Sequence, residues 1–247
     1  LLLSSAASDV YKRQIKYIEF MAFILLGFII LSLVLFPSIW VKRVLKKYSI
    51  PANRYSGSGS DLARYLLDKE SLKHIKIEET EEGDHYDPEN KVVRLSKENF
   101  NSQSLTSITV AAHEVGHAIQ DRDQYSALML RTKLVKISLG IEKIGAGILM
   151  VSPFIGIITK APGLSVLVFL SGLLTLLSST VIHLITLPTE FDASFKRALP
   201  MLEEQNILKD GDMPHARQIL TAAAMTYVSA SLMSLLNIAR WWAILRR

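Results

Sequence analysis

The chain has 247 residues, a formal net charge of +5 and no cysteine, and 49% of its residues are hydrophobic. Without cysteine, thiolate metal sites, disulfides and cysteine nucleophiles are excluded, so a metal must be held by histidine and carboxylate alone. A mean hydropathy of +0.26 is typical of a protein partly dissolved in lipid. The positive charge sits mainly beside apolar runs (Lys42, Arg43, Lys46, Lys47; Arg240, Arg246, Arg247) with no aromatic-basic interleaving, which favours an anionic bilayer over nucleic acid as partner.

In chain order, residues 1–14 (LLLSSAASDVYKRQ) lack an initiator Met and resemble translated sequencing-adapter read-through. They suit neither a signal peptide nor a helix and are expected to be foreign to the fold. Residues 15–41 contain a nearly unbroken apolar run from 18 to 41, long enough to cross a hydrocarbon core of roughly 30 Å, closed by Trp40 and the basic cluster.

The segment 42–136 is polar and predicts a small α+β domain. Ser60 is the expected N-cap of a helix over 61–69. Residues 75–79 alternate like a strand, and 84–96 read as a β-hairpin about a Pro88-Glu89-Asn90 turn. Ser104 or Thr106 then opens a helix running to about Arg122.

Residues 137–187 hold two apolar runs, 137–158 and 164–187, joined at Lys160, Pro162 and Gly163; they predict a transmembrane hairpin. Residues 188–218 predict a helix with Glu190 in its first turn, after Pro188. Residues 219–247 are a hydrophobic helix with a basic tail that either spans the membrane or packs on the other helices. The basic cluster after the first run predicts that the polar domain is cytoplasmic, and a hairpin returns the chain to that same side. The fold class expected is therefore mainly α: a multi-span membrane protein with a small α+β zincin-like catalytic domain built on a His-Glu-x-x-His helix and a β-hairpin.

The chemistry lies in His113-Glu114-Val115-Gly116-His117. Histidines four apart share a helix face and can turn one ring nitrogen each to a single cation, and Glu114 is placed to act as general base on water activated by that cation. The uncharged flanks (Val110, Ala111, Ala112, Val115, Gly116, Ala118, Ile119) suit a buried helix, in which two histidines and a glutamate without a metal are costly. Catalytic zinc needs a third protein ligand and an open position. Asp123 has the spacing of one known zinc-peptidase class, but that arrangement needs glycine where Gln120 stands. Glu190 is the choice, because the hairpin returns it to the correct side. Asp192, two positions on, faces away and is placed in a supporting role or as an N-terminal helix charge.

Four blocks now carry a resemblance covering residues 16 to the end. They are Asp84-His85-Tyr86-Asp87-Pro88 with Val92-Val93-Arg94-Leu95-Ser96, then 111–120 around the zinc motif, then Leu187-Pro188-Thr189-Glu190-Phe191-Asp192-Ala193-Ser194, then 222–228. In this order they resemble the YugP-type membrane zinc metallopeptidases (neutral zinc metallopeptidases), distant relatives of the HtpX-like gluzincins. The resemblance implies Zn2+ at His113, His117 and Glu190 with Glu114 as general base. Thr189 stands where valine is common in the family, a change without catalytic consequence.

The remaining candidates carry two readings each. The hairpin 84–96 is either an edge for extended substrate or purely structural. His85 reads as a hairpin hydrogen-bonder rather than a ligand, and His74 and His215 as surface residues. His183, inside an apolar run, is a core residue or a pocket residue. Tyr227 is an interhelical hydrogen-bonder or an oxyanion donor. Arg197 is expected to pair with Glu190 or Asp192.

The function expected is a membrane-anchored zinc metallopeptidase of the bacterial plasma membrane. It hydrolyses peptide bonds in membrane or membrane-proximal proteins by Glu-assisted attack of zinc-activated water. One alternative is a non-catalytic zinc-binding scaffold or chaperone-like protein, which a fourth ligand such as Asp192 or His85 would mark. Another is an intramembrane protease using Asp210-Gly211, which the polar surroundings of that pair oppose. Oligomeric state is not encoded in any motif.

Overall fold

The computed structural model describes residues 2–245; residues 1, 246 and 247 and a number of side chains in the apolar helices, His183 and Tyr227 among them, lie outside the described residues. The chain is mainly helical with one small sheet. Its elements are α1 (Leu2–Tyr48), α2 (Gly59–Lys69), β1 (Lys76–Thr80), β2 (His85–Asp87), β3 (Val92–Ser96), α3 (Lys97–Asn101), α4 (Leu105–Arg122), α5 (Ser126–Thr159), α6 (Pro162–Ile185), α7 (Leu187–Phe191), a π-helical stretch (Asp192–Ala198), α8 (Leu199–Glu204) and α9 (Met213–Leu245).

Two local expectations are corrected. Residues 2–14 are helical and continuous with α1. Leu, Ala, Lys, Arg and Gln are good helix formers, and extending an existing helix avoids a new nucleus. The cap of α2 is Ser58, not Ser60: the Ser58 hydroxyl accepts from the Asp61 amide while the Asp61 carboxylate accepts from the Ser58 amide. This reciprocal box requires the acid three residues after the cap, which only Ser58 has. The α4 cap lies at the first of its two expected sites, with Ser104 accepting from the Ser107 amide.

β3 is the central strand, in the order β1-β3-β2, parallel to β1 and antiparallel to β2. The expected hairpin is therefore present, and β2 is a sheet edge. Val93 and Leu95 of β3 pack with Leu62, Leu66 and Leu67 of α2 and with Ile108 and Val115 of α4. Burying each large aliphatic side chain stabilises by roughly 1.5–3 kcal/mol. Val41 and Val44 at the end of α1, and Ile219 and Leu220 near the start of α9, close the same core. The apolar helices are thus rooted in the polar domain.

α5 and α6 form a helical hairpin that turns at Lys160, which adopts a left-handed backbone with φ 53°. α6 and α1 both pack on α9. Apolar residues point outward along these helices, including Phe28, Leu33, Phe154, Ile158 and Leu174. Among the described residues, one helical stretch, Lys16–Tyr48, is long and apolar enough to cross a membrane; Lys143–Ser152 and Gly163–Gly172 are shorter apolar stretches. The several spans expected from the sequence thus reduce, on the described residues, to this one.

Candidate metal centre

α4 carries His113, Glu114 and His117 through the middle of the domain, and its residues from Leu105 to Asp121 are all buried. Gly116 explains how the third element reaches it. A Cβ at position 116 would lie 2.7 Å from the Ala193 carbonyl oxygen, so only glycine lets the backbone of the π-helical stretch approach α4 this closely. π-helical turns recur at functional sites. Here the stretch begins just after Glu190 and brings Asp192 and Ser194 against α4 as well.

Glu190 Oε2 lies 3.3 Å from His113 Nε2 and 3.3 Å from His117 Nε2. One donor atom from each of the three residues falls within 4.8 Å of the others, and all three side chains are buried. The orientation of both rings follows from what holds Nδ1. Ser194 Oγ donates to the Leu220 carbonyl and so accepts at His113 Nδ1, 3.0 Å away. Gln120 uses its amide nitrogen on the Thr189 carbonyl and on Asp192 Oδ2, both at 2.8 Å. Its oxygen therefore accepts from His117 Nδ1 at 2.9 Å. With Nδ1 protonated, the neutral form of each ring presents its Nε2 lone pair to the same point, the usual way a supporting partner fixes a metal-binding histidine.

Without a metal, burial works to raise the Glu190 carboxyl, but His117 in its protonated form and the Arg131 guanidinium outweigh it and hold it well below the ordinary value. Arg131 Nη1 lies 2.8 Å from Glu190 Oε1, yet neither carboxylate oxygen accepts an aligned hydrogen bond. A buried carboxylate without an aligned hydrogen bond on either oxygen, with Oε2 facing both imidazoles, is a donor set suited to a zinc ion. The residues present fit the metal.

Glu114 lines the same cleft, and burial pushes its carboxyl up to about 7, with His113 opposing and Asp84 and Glu190 adding to the rise. A carboxylate poised there can both take and return a proton near neutral pH. The cleft has a volume of about 320 Å³. One wall is the approach to β2 (Glu82, Asp84, His85), and the other is Val110 of α4 with Leu45 and Ala223 at the roots of α1 and α9.

The competing ligand candidates are occupied elsewhere. Asp123 pairs with Arg122 at 2.8 Å and with Arg197 at 2.6 Å, on the surface. Asp192 Oδ2 accepts from Gln120 and from Arg197 Nε at 2.9 Å, so Arg197 pairs with Asp192 and not with Glu190. His85 Nδ1 bonds the Gly83 carbonyl at 2.8 Å. His74 and His215 are exposed, and Asp210 lies in an exposed turn at Gly211, whose φ is 83°. His183 and Tyr227 fall outside the described residues. Sequence reasoning missed Arg131, and it met Ser194 and Gln120 only as members of the blocks carrying the resemblance, Gln120 also as a missing glycine, with no site role for either. Gln120 follows His117 by three residues and Ser194 follows Glu190 by four, same-face spacings that offered a signal; Arg131 had none.

Two histidines and a glutamate with their Nδ1 partners, beside a buried carboxylate in an open cleft, define a zinc-peptidase type of site on a mainly helical fold. Residues 22–246 match the family described as "Putative neutral zinc metallopeptidase", and the chain belongs to that family. It is 33% identical over 235 residues, covering 90% of this chain and 95% of the relative, to the "Putative membrane protease YugP" of Bacillus subtilis (strain 168). No solved structure matches the chain.

Proposed function

We propose that the protein is a membrane-anchored zinc endopeptidase acting on membrane or membrane-proximal proteins. The observation that carries the reading is the buried His113–His117–Glu190 donor set beside Glu114 in an open cleft. A zinc ion held there supplies Lewis acidity that polarises the scissile carbonyl and makes water nucleophilic at neutral pH. The chain's own residues do the rest. A Glu114 carboxylate oxygen takes the proton of the attacking water and returns it to the leaving amine nitrogen, a role for which it is placed in the cleft beside both histidines and Glu190. Ser194 and Gln120 hold the two imidazoles in register throughout. The free edge of β2 accepts an extended substrate backbone along the cleft wall.

Membrane substrates are favoured because Leu45, Ala223 and Thr226 place the cleft at the roots of α1 and α9. The same reading has the α5–α6 hairpin dip into lipid with its outward apolar residues, alongside the one full-length span of α1, and takes the basic cluster as favouring a cytoplasmic catalytic domain. Support for catalysis over a scaffold role comes from the donor count: three residues converge among the described residues, and neither Asp192 nor His85 joins them. Comparing membrane proteomes of cells expressing the wild type or Glu114→Gln tests the proposal. Fragments generated only by the wild type are expected; identical fragment sets would remove it.

A further inference from the structure

Arg131 enters the site so far only as a charge beside Glu190, its Nη1 2.8 Å from Glu190 Oε1. It lies on α5, ahead of the apolar hairpin, with its side chain only 16% exposed, and it lines the same cleft as His113, Glu114 and His117. The Glu190 carboxylate is divided between two sets of neighbours. Oε2 faces both imidazoles at 3.3 Å, and Oε1 faces Arg131 Nη1 at 2.8 Å. A carboxylate can give a cation one oxygen or both, and a free one rotates between these options. A guanidinium on one oxygen removes that choice, because withdrawing Oε1 would leave two opposite charges parted in a buried site.

We propose that Arg131 is a positioning residue that makes Glu190 a one-oxygen metal ligand, keeping a position beside the metal open for water and substrate. The proposal rests on the metal-centre reading above and deepens it. A second consequence follows from where the pair sits. Arg131 belongs to the helix that enters the hairpin and Glu190 to the short helix that follows it, so the contact ties the two feet of the α5–α6 hairpin together. Splaying of those feet would then alter the metal site directly.

Metal affinity does not discriminate here, since removing a nearby cation favours a dication while losing the clamp disfavours it. The coordination itself does. The full-length protein in lipid nanodiscs is loaded with Co2+, and its visible absorption is compared between wild type, Arg131→Met and Arg131→Lys. Zn2+-loaded samples give the number of light ligands by X-ray absorption. Arg131→Met is expected to gain an oxygen ligand and to lose cobalt band intensity, as higher coordination brings. Arg131→Lys keeps the charge without the fork and is expected to fall between the two. It remains informative if the methionine variant does not fold. A cobalt spectrum of either folded variant that superimposes on the wild type overturns the proposal. Failure of the wild type to take up either ion instead removes the metal-centre reading on which it stands.

Discussion

α1 and α4 are both apolar helices, and they dispose of their apolar surface in opposite ways. Along α4 every residue from Leu105 to Asp121 is buried by protein. Along α1, Phe28 is 67% and Leu33 65% exposed, while burial among the described residues is confined to Val34, Val41 and Val44 where α9 and the domain core cover it. What separates them is polar content placed at chemical spacing: α4 buries His113, Glu114, His117 and Gln120 in and beside one cleft, whereas residues 18–36 of α1 carry Glu19 as their one charge and need only an apolar solvent. An apolar helix with costly polar groups inside it is built around a site; one without them is built for lipid.

The comparison breaks most visibly if α1 is charged. Phe28→Lys is expected to cost about 2.5–3.5 kcal/mol of membrane insertion. A membrane-flotation assay reads this as a shift to the soluble fraction, and unchanged flotation would show that this face of α1 does not meet lipid. The reciprocal change on α4 is Gly116→Val. With the Ala193 carbonyl 2.7 Å from a Cβ there, the close approach of the π-helical stretch must open. The expected cost is about 1–3 kcal/mol in thermal unfolding of the metal-free protein. A variant as stable as wild type would mean that this contact is not tight.

Gln120→Ala tests whether the polar content of α4 is organised for metal. Losing the His117 Nδ1 partner should weaken zinc affinity or activity by about 10–100-fold, measured by chelator competition. Asp123→Asn, on the exposed end beyond the same helix, should leave it unchanged within experimental error.

The smallest effect is a pH dependence at the hairpin. Burial would raise the Asp87 carboxyl, but hydrogen bonds from the Asn90 side chain and amide, Arg94 and the Glu89 amide overcome it and hold it down at about 2. Its folded value is thus below the unfolded value of about 4. The stabilisation is present above about pH 4 and is lost as the pH falls from 4 to 2. Asp87→Asn should flatten that part of the unfolding curve; an unaltered slope would exclude the carboxylate as its source.

Much of this was legible in the residues, and the exceptions have physical causes. His113, Glu114 and His117 are four residues apart or less, so helical periodicity alone brings them to one site. Glu190 lies far along the chain and became legible through the helix start at Pro188 and the hairpin that returns it. The α2 cap was misplaced because Tyr55-Ser56-Gly57-Ser58-Gly59-Ser60 offers competing serines, and only the reciprocal bond with Asp61 selects among them. The π-helical stretch has no sequence period to announce it, and its close approach to Gly116 exists only in the folded chain. Arg131 and Ser194 act across α5 and α9, through contacts that exist only once the tertiary structure has formed.

The central claim is that α4 and α7 build a zinc site whose proton carrier is Glu114. Its most direct test is purified full-length protein, wild type and Glu114→Gln, assayed side by side for bound zinc and for hydrolysis of a membrane-protein substrate. The account predicts equal zinc content in both, with turnover in the variant lower by about 100- to 10,000-fold. Wild-type turnover in Glu114→Gln, or an active wild type that holds no zinc, would contradict it.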